Sequence, residues 1–470
     1  MKYGSSAITP EGELYAAYVK EPYVFESEPA IERPLGATEN LYWRFDRVSP
    51  LNFGSVVRLQ GEIDHAHMRK ALHAIQARHP LLRVKIECDA KGRPWFRSGV
   101  GEIAMDVLEA SHDQVWPTLE KAVNAPVDTV NGPLMRCLLL KHGPADSTLV
   151  MNFHHAVSDG KSSIFLARDI LQSLARQHRG MSAKLEALQP VGYYGNRIPK
   201  LEPWAGKESM KTAWKTLKGV AQFLEGVGFP TGLQRYKDPE FKAAPGVMLE
   251  PRIIEKAQMQ ALLQKTKAEN ATLQCVLNAA LSLTVAEDSP TGMLQRTACS
   301  QVLDVRCRLE PPVGEDCGLF CSGATSLHTM DASTPFWPLT RKIHEQLQHS
   351  IATPMPFFHP AMHRQAIRLG HGLGLHNYKA FGEYIGRLHP EGLAVSNLGR
   401  VTIDVDGPVK AVEFGFGTNT TALNYLSTSA ATFDGRMTWV FNGGTELMTR
   451  ERLKAIADRS VERMMAAIHE

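Results

Sequence analysis

The chain has 470 residues, 43% of them hydrophobic and 21% charged, and its 52 Lys and Arg against 49 Asp and Glu leave a formal charge of +3. Such a length is more than one core can use and suggests two lobes of about 200 residues each. So even a charge balance argues against a nucleic-acid binder, which usually carries a concentrated basic face.

In chain order, residues 1–34 have no clear periodicity, carry Pro10, Pro22, Pro29 and Pro34, and read as a lead-in. The first ten residues are polar and lack the apolar core of a secretory signal. Residues 56–59 read as a strand. Asp64 then suits a helix N-cap, Met68, Leu72 and Ile75 make one apolar helical face, and Pro80 stops it. Residues 82–86 return as a strand. Two apolar runs, 135–140 and 148–153, flank turn residues at 142–146 and predict a hairpin. The second run leads into His154-His155-Ala-Val-Ser158-Asp159-Gly160, followed by a helix with Ile164, Ile170 and Leu171 on one side.

Turn residues, prolines and aromatics such as Tyr193 and Tyr194 mark 179–246 as a linker. Lys207, Lys211, Lys215 and Lys218 stand there at helical spacing and read as a solvated face. The second lobe begins near 247. It has helices over 254–267 and 272–286, and a hairpin of 423–431 with 437–441 turning at Asp434-Gly435. A last helix follows, so the strand–turn–strand–loop–helix order of the histidine pair recurs without histidines. Two related lobes are expected, 35–178 and 247–470, only the first of them chemically armed.

Four fixed positions of the HHxxxDG pattern coincide by chance only roughly 0.002 times in a chain of this composition. A strand-to-helix loop also presents a side chain rigidly into a cleft. Near its ordinary pKa, a histidine serves as a general base at pH 7. Asp159 invites a carboxylate–histidine arrangement like that of serine hydrolases. There is no GxxxxGK[ST] or GxSxG sequence, and the Gly370–Gly374 and Gly415–Gly417 stretches lack the context of a dinucleotide site. His363, His371 and His376, and Cys317 with Cys321, lack zinc-site spacing, so no metal is expected. Seven scattered cysteines do not suggest a disulfide framework and point to a reducing, cytoplasmic setting. No apolar run reaches 18 residues, so no membrane span is expected.

His154-His155-Ala-Val-Ser-Asp159-Gly160 resembles the HHxxxDG motif of the condensation-domain superfamily, which includes chloramphenicol acetyltransferase-like, BAHD and polyketide-associated acyltransferases. Leu35-Gly-Ala-Thr-Glu39, Arg78-His79-Pro80-Leu-Leu-Arg83, Asp304-Val-Arg306-Cys-Arg308-Leu309 and Ser396-Asn397-Leu398-Gly399 resemble further segments of the superfamily in order. Glu413-Phe-Gly-Phe-Gly417 is only superficially like the BAHD DFGWG motif and reads as packing and a turn. The pattern is nearest to polyketide-associated and BAHD-like members.

The resemblance implies an α/β fold of two chloramphenicol-acetyltransferase-like lobes with an active-site tunnel between them. It implies acyl transfer from a thioester, acyl-CoA or acyl-phosphopantetheine on a carrier protein, to an alcohol or amine, with no permanently bound cofactor and no covalent acyl-enzyme. His155 is implied as the base and His154 as a shaper of the loop. Asp159 is implied to turn away and pair with Arg306, and Gly160 to let the backbone turn into the helix. Ser396 and Asn397 either donate to the thioester oxygen or make a turn. A monomer is expected. Rival readings are an amide-forming condensation enzyme and a carrier-binding module without turnover.

Overall fold

A computed structural model describes residues 31–47, 49–199, 246–288, 295–331, 333–353, 355–357, 363–365, 367–368, 370, 392–420 and 426–470. The lysine stripe at 207–218, His371 and His376 lie outside the described residues. The first half of the chain runs β1 (Arg33–Pro34), α1 (Ala37–Phe45), β2 (Asn52–Gln60), α2 (His65–Arg78), β3 (Lys85–Cys88), β4 (Pro94–Arg97), β5 (Ala104–Glu109), α3 (Val115–Asn124), β6 (Met135–Gly143), β7 (Asp146–His154) and α4 (Gly160–His178). The second half runs β8 (Val247–Ile254), α5 (Lys256–Ala268), α6 (Leu273–Glu287), β9 (Gln295–Asp304), β10 (Cys321–Met330), α7 (Phe336–Ile351), β11 (Leu393–Val401), β12 (Lys410–Thr418), β13 (Leu426–Phe433), β14 (Arg436–Gly444) and α8 (Arg450–Ala466).

Local chemistry explains the element ends. Asp64 accepts the His67 N–H at 2.9 Å and starts α2, whose Met68, Leu72 and Ile75 are buried. Residues 82–83, expected to open a strand, close a 3-10 turn over Pro80–Arg83 instead, because Pro80 follows the C-cap His79 and fixes a helical φ; β3 starts only at Lys85. The β13–β14 hairpin turns on Asp434 and Gly435, both at positive φ (44° and 82°), as a two-residue turn matched to strand twist requires.

The two halves share a topology. A five-stranded sheet runs β12-β2-β7-β6-β5, and a six-stranded sheet runs β10-β9-β11-β13-β14-β8. In the first, β2 and β7, then β7 and β6, pair antiparallel, whereas β6 and β5 are parallel. In the second, β8 and β14, then β14 and β13, pair antiparallel, whereas β13 and β11 are parallel. Each hairpin is followed by a helix, α4 or α8, as the repeated order predicts. A small third sheet is β1-β4-β3.

One strand departs from the chain-order division. β12, which contains Glu413–Gly417, pairs antiparallel with β2 and so extends the first sheet from the second half of the chain. The sequence is therefore a strand rather than a turn. Its glycines admit close neighbours: a Cβ on Gly415 would come within 2.8 Å of Trp116, and one on Gly417 within 2.9 Å of Leu249.

Met68, Leu72 and Ile75 of α2 and Ile164, Ile170 and Leu171 of α4 pack on one face of the five-stranded sheet. Leu119 and Val123 of α3 lie on its other face, where they also meet Leu249 and Val440 of the six-stranded sheet. Helix α3 is thus a wedge between the sheets. Helices α6, α7 and α8 close the far face of the six-stranded sheet over Trp439 and Phe441. No described helix is long and apolar enough to cross a membrane.

Candidate active site

Strand β7 ends at His154, and Asp159 caps α4 five residues later, so the whole motif occupies one short strand-to-helix passage. Opposite it, β9 and β11 of the six-stranded sheet supply Ser300, Val302 and Ser396 to a cavity of about 180 Å³. The same cavity is lined from the five-stranded side by Phe53, Phe416 and Thr418, and by His155 itself.

His155 is 9% exposed, and its Nδ1 lies 2.9 Å from the Ser158 carbonyl oxygen. A carbonyl only accepts, so Nδ1 carries the hydrogen and Nε2 keeps the lone pair in the neutral ring. Tyr42 meets the imidazole edge-on at 5.1 Å and Phe53 lies 5.5 Å away, so the ring is clamped by aromatics. Burial lowers its pKa, which the Ser158 carbonyl and the Asp159 charge offset only in part. The ring is neutral at pH 7.

His154 has the opposite tautomer. The Ala156 N–H donates to its Nδ1 at 3.1 Å, so the hydrogen sits on Nε2, 3.8 Å from the Asp46 carboxylate. The side chain is fully buried and does not line the cavity. Burial lowers its pKa against the pull of Asp46.

Asp159 makes no hydrogen bond to His155. It accepts from the Ser162 N–H and hydroxyl, both at 2.9 Å, from the Phe320 N–H at 2.9 Å, and from Arg306 at 2.9 and 3.0 Å. Burial opposes its charge, but the Arg306 guanidinium and these donors prevail and hold the carboxyl below its ordinary range. A hydrolase-like triad is thereby ruled out in this geometry.

Gly160 corrects the expectation placed on it. Its φ is not in the left-handed region, so no tight turn demands glycine there. What demands it is space, since a Cβ would lie 2.5 Å from Leu398 Cδ2 on β11.

Ser396 and Asn397 both line the cavity. Asn397 Oδ1 accepts the Gly399 N–H at 2.9 Å where the β11–β13 register shifts, with Gly399 at φ 69°. The turn role is thus realised in Asn397, and its Nδ2 keeps its donors.

Other lining residues escaped sequence reasoning. Tyr194, assigned to the linker, is 1% exposed and lines the cavity with Thr38, Tyr42 and His363. Thr38 lies inside the Leu35–Glu39 segment, which was the one signal available. Cys317, set aside as a metal ligand, donates its Sγ hydrogen to the Val157 carbonyl at 3.2 Å, and Cys321 lines the cavity. Among the described residues, no cluster of three His, Cys, Asp or Glu could hold a metal ion.

Residues 45–350 match the Condensation domain family. The chain is 30% identical over 205 residues to phosphinothricin tripeptide synthetase PhsC of Streptomyces viridochromogenes, covering 39% of this chain and 18% of that protein. It spans 18% or less of the first curated relatives it matches. A trichothecene 15-O-acetyltransferase from Fusarium sporotrichioides shares the fold, with a TM-score of 0.67 at 12% identity over 93% of this chain and 94% of that one. So does the starter condensation domain of rhizomide synthetase in complex with C8-CoA, with a TM-score of 0.61 at 15% identity over 94% and 95% of the two chains.

Proposed function

This chain belongs to the condensation-domain family, and from that premise we propose that it moves an acyl group from a thioester to a hydroxyl or amine, with His155 as general base. The donor is acyl-CoA or an acyl-phosphopantetheine arm on a carrier protein. The observation that carries this reading is the Nδ1 hydrogen bond to Ser158, which leaves a lone pair on Nε2 of a residue lining the cavity between the sheets.

The acceptor O–H or N–H donates its proton to Nε2 while its heteroatom attacks the thioester carbonyl. A tetrahedral oxyanion forms, for which Ser396 and the Asn397 Nδ2 are the candidate donors. Collapse breaks the carbon–sulfur bond, and the departing thiolate takes the proton back from Nε2. His154 fixes the loop behind the base, and Asp159 with Arg306 fixes it from the side.

The peptide-synthetase relatives favour a second reading, amide formation between two carrier-bound chains. Free-thiol release from a panel of acyl-CoAs, with and without pooled alcohols and amines, separates the two for wild type and His155→Ala. Acceptor-dependent release lost in the variant supports transfer from CoA. Release only from a loaded carrier protein puts the donor on a phosphopantetheine arm, in which case a requirement for a carrier-bound amine as acceptor supports the condensation reading, and no release from either leaves a carrier-binding module.

A further inference from the structure

His79 and Asp169 form a second histidine–carboxylate pair, each at 0% exposure. His79 is the C-cap of α2 and Asp169 stands on α4, with His79 Nε2 2.9 Å from Asp169 Oδ2. Neither lines the catalytic cavity. The other ring nitrogen turns to the second half of the chain, where the Cys317 N–H donates to His79 Nδ1 at 3.3 Å. An Nδ1 that accepts carries no hydrogen, so the ring hydrogen sits on Nε2 and is donated to Asp169. Both nitrogens are in use.

Residues 315–320 run as a strap into β10, and it is held on two sides. On one side Glu315 pairs with Arg78 and Arg168, which also bind Asp169. The Glu315 side chain is 43% exposed, so water screens those ion pairs and they hold weakly. The buried anchor of the strap is therefore His79.

On its other side the strap meets the HHxxxDG passage three times. The Cys317 Sγ–H donates to the Val157 carbonyl at 3.2 Å, the Gly318 N–H to Ser162 Oγ at 3.1 Å, and the Phe320 N–H to Asp159 at 2.9 Å. Val157 precedes Ser158, whose carbonyl keeps the hydrogen of His155 on Nδ1. His79 thus reaches the base through Cys317 and the Val157–Ser158 backbone.

Resting on the acyl-transfer reading, we propose that His79 is a positioning residue for the reaction: its Nδ1 fixes the Cys317 amide, and with it the strap that sets the Ser158 carbonyl behind His155. A loosened strap lets the imidazole turn and admits water to it, although no group that meets the substrate has been removed.

Two substitutions divide the two bonds of the ring. In His79→Asn, Oδ1 stands in for Nδ1 and keeps the Cys317 amide, while Asp169 loses one donor. In His79→Gln, the amide nitrogen stands in for the ring Nε2 and keeps Asp169, while the Cys317 N–H loses its acceptor. Each variant gives up one hydrogen bond, so a ring that only packs makes them equal. The expected result is thiol release close to the wild-type rate in His79→Asn and slower by about ten-fold or more in His79→Gln, as a displaced catalytic group costs.

A second readout is independent of turnover: titration of the His155 ring by NMR, its signal identified by its loss in His155→Ala. Burial holds that pKa below its ordinary value, so a loosened site brings it up towards about 6.5 in His79→Gln and leaves it in place in His79→Asn. Cys317→Ser, which keeps a donor for Val157, and Cys317→Ala, which does not, repeat the comparison one link further on if the His79 variants fold poorly. Asp159, the charge beside the ring, is unchanged in all four. Equal rates and equal titrations within both pairs overturn the proposal. A wild type that releases no thiol defeats the transfer reading instead, and the titration then judges the strap by itself.

Discussion

Arg306, two residues beyond the end of β9, grips Asp159 at the N-cap of α4 with both guanidinium nitrogens, Nη1 to Oδ2 at 2.9 Å and Nη2 to Oδ1 at 3.0 Å. The two side chains are 5% and 3% exposed. This pair joins the six-stranded half of the molecule to the loop that holds His155, and it spends the Asp159 carboxylate on architecture instead of on the imidazole.

Asp159→Asn leaves a buried guanidinium facing a neutral amide. The expected loss is about 3–5 kcal/mol of stability, the usual cost of breaking one partner out of a buried pair, together with lower soluble yield and lower turnover. Denaturant unfolding of the variant checks it, and wild-type stability contradicts the assignment. The pH dependence has a fixed sign. The folded carboxyl lies below its unfolded value of about 3.9, so its contribution is complete above that pH and is lost as pH falls through the depressed folded value.

His155→Ala separates chemistry from stability. Turnover is expected to fall by about 10²- to 10⁴-fold, with a loss of stability smaller than that of Asp159→Asn. In the wild type, the rate should be on a plateau at neutral pH and decline on the acid side with an apparent pKa below the ordinary value of about 6.5, because burial disfavours the protonated ring. For the same reason, the buried neutral ring contributes stability above about pH 6.5 that is lost progressively as pH falls towards the folded pKa. A pH–rate profile whose acid limb lies above the ordinary histidine value contradicts this assignment.

What could be read from the chain was what is local. The HHxxxDG run, the Asp64 cap, the two hairpins and the helix over 272–286 each depend on residues within about twenty positions of one another. The Arg306–Asp159 pair came from resemblance and is seen here as geometry. The cavity was not legible, since Thr38, Phe53, Tyr194, Ser300 and Phe416 are far apart in the chain and meet only in the folded molecule. No periodicity announces that β12 leaves the second half of the chain to pair with β2. Gly160 shows the same limit at one residue: its neighbour Leu398 is 238 positions away, so a requirement for space looked like one for conformation.

Gly160→Ala tests that distinction. A conformational requirement would make any side chain costly whatever its neighbours. Here the expected obstacle is the Leu398 methyl 2.5 Å from the new Cβ, with a stability loss of about 1–3 kcal/mol as for other overpacked sites. Leu398→Ala should recover most of that loss in the double variant, although it is itself destabilising. Unfolding free energies of the four proteins in this cycle give the coupling, and additive effects contradict the steric account.

His154 and His155 should answer to substitution differently although they are adjacent. His154 Nδ1 is the acceptor for the Ala156 N–H, and its ring fills a fully buried place between that amide and Asp46. His154→Ala leaves a buried N–H without an acceptor, at about 1–3 kcal/mol, and opens a void beside it. The Oδ1 of an asparagine can stand where Nδ1 stood and accept the same hydrogen, so His154→Asn should retain more stability and more turnover than His154→Ala. No such ranking is expected at His155, where asparagine offers no base. Comparing unfolding midpoints and thiol-release rates across these four variants therefore reads the two roles separately, and equal loss of activity in His154→Asn and His155→Asn contradicts the division of labour.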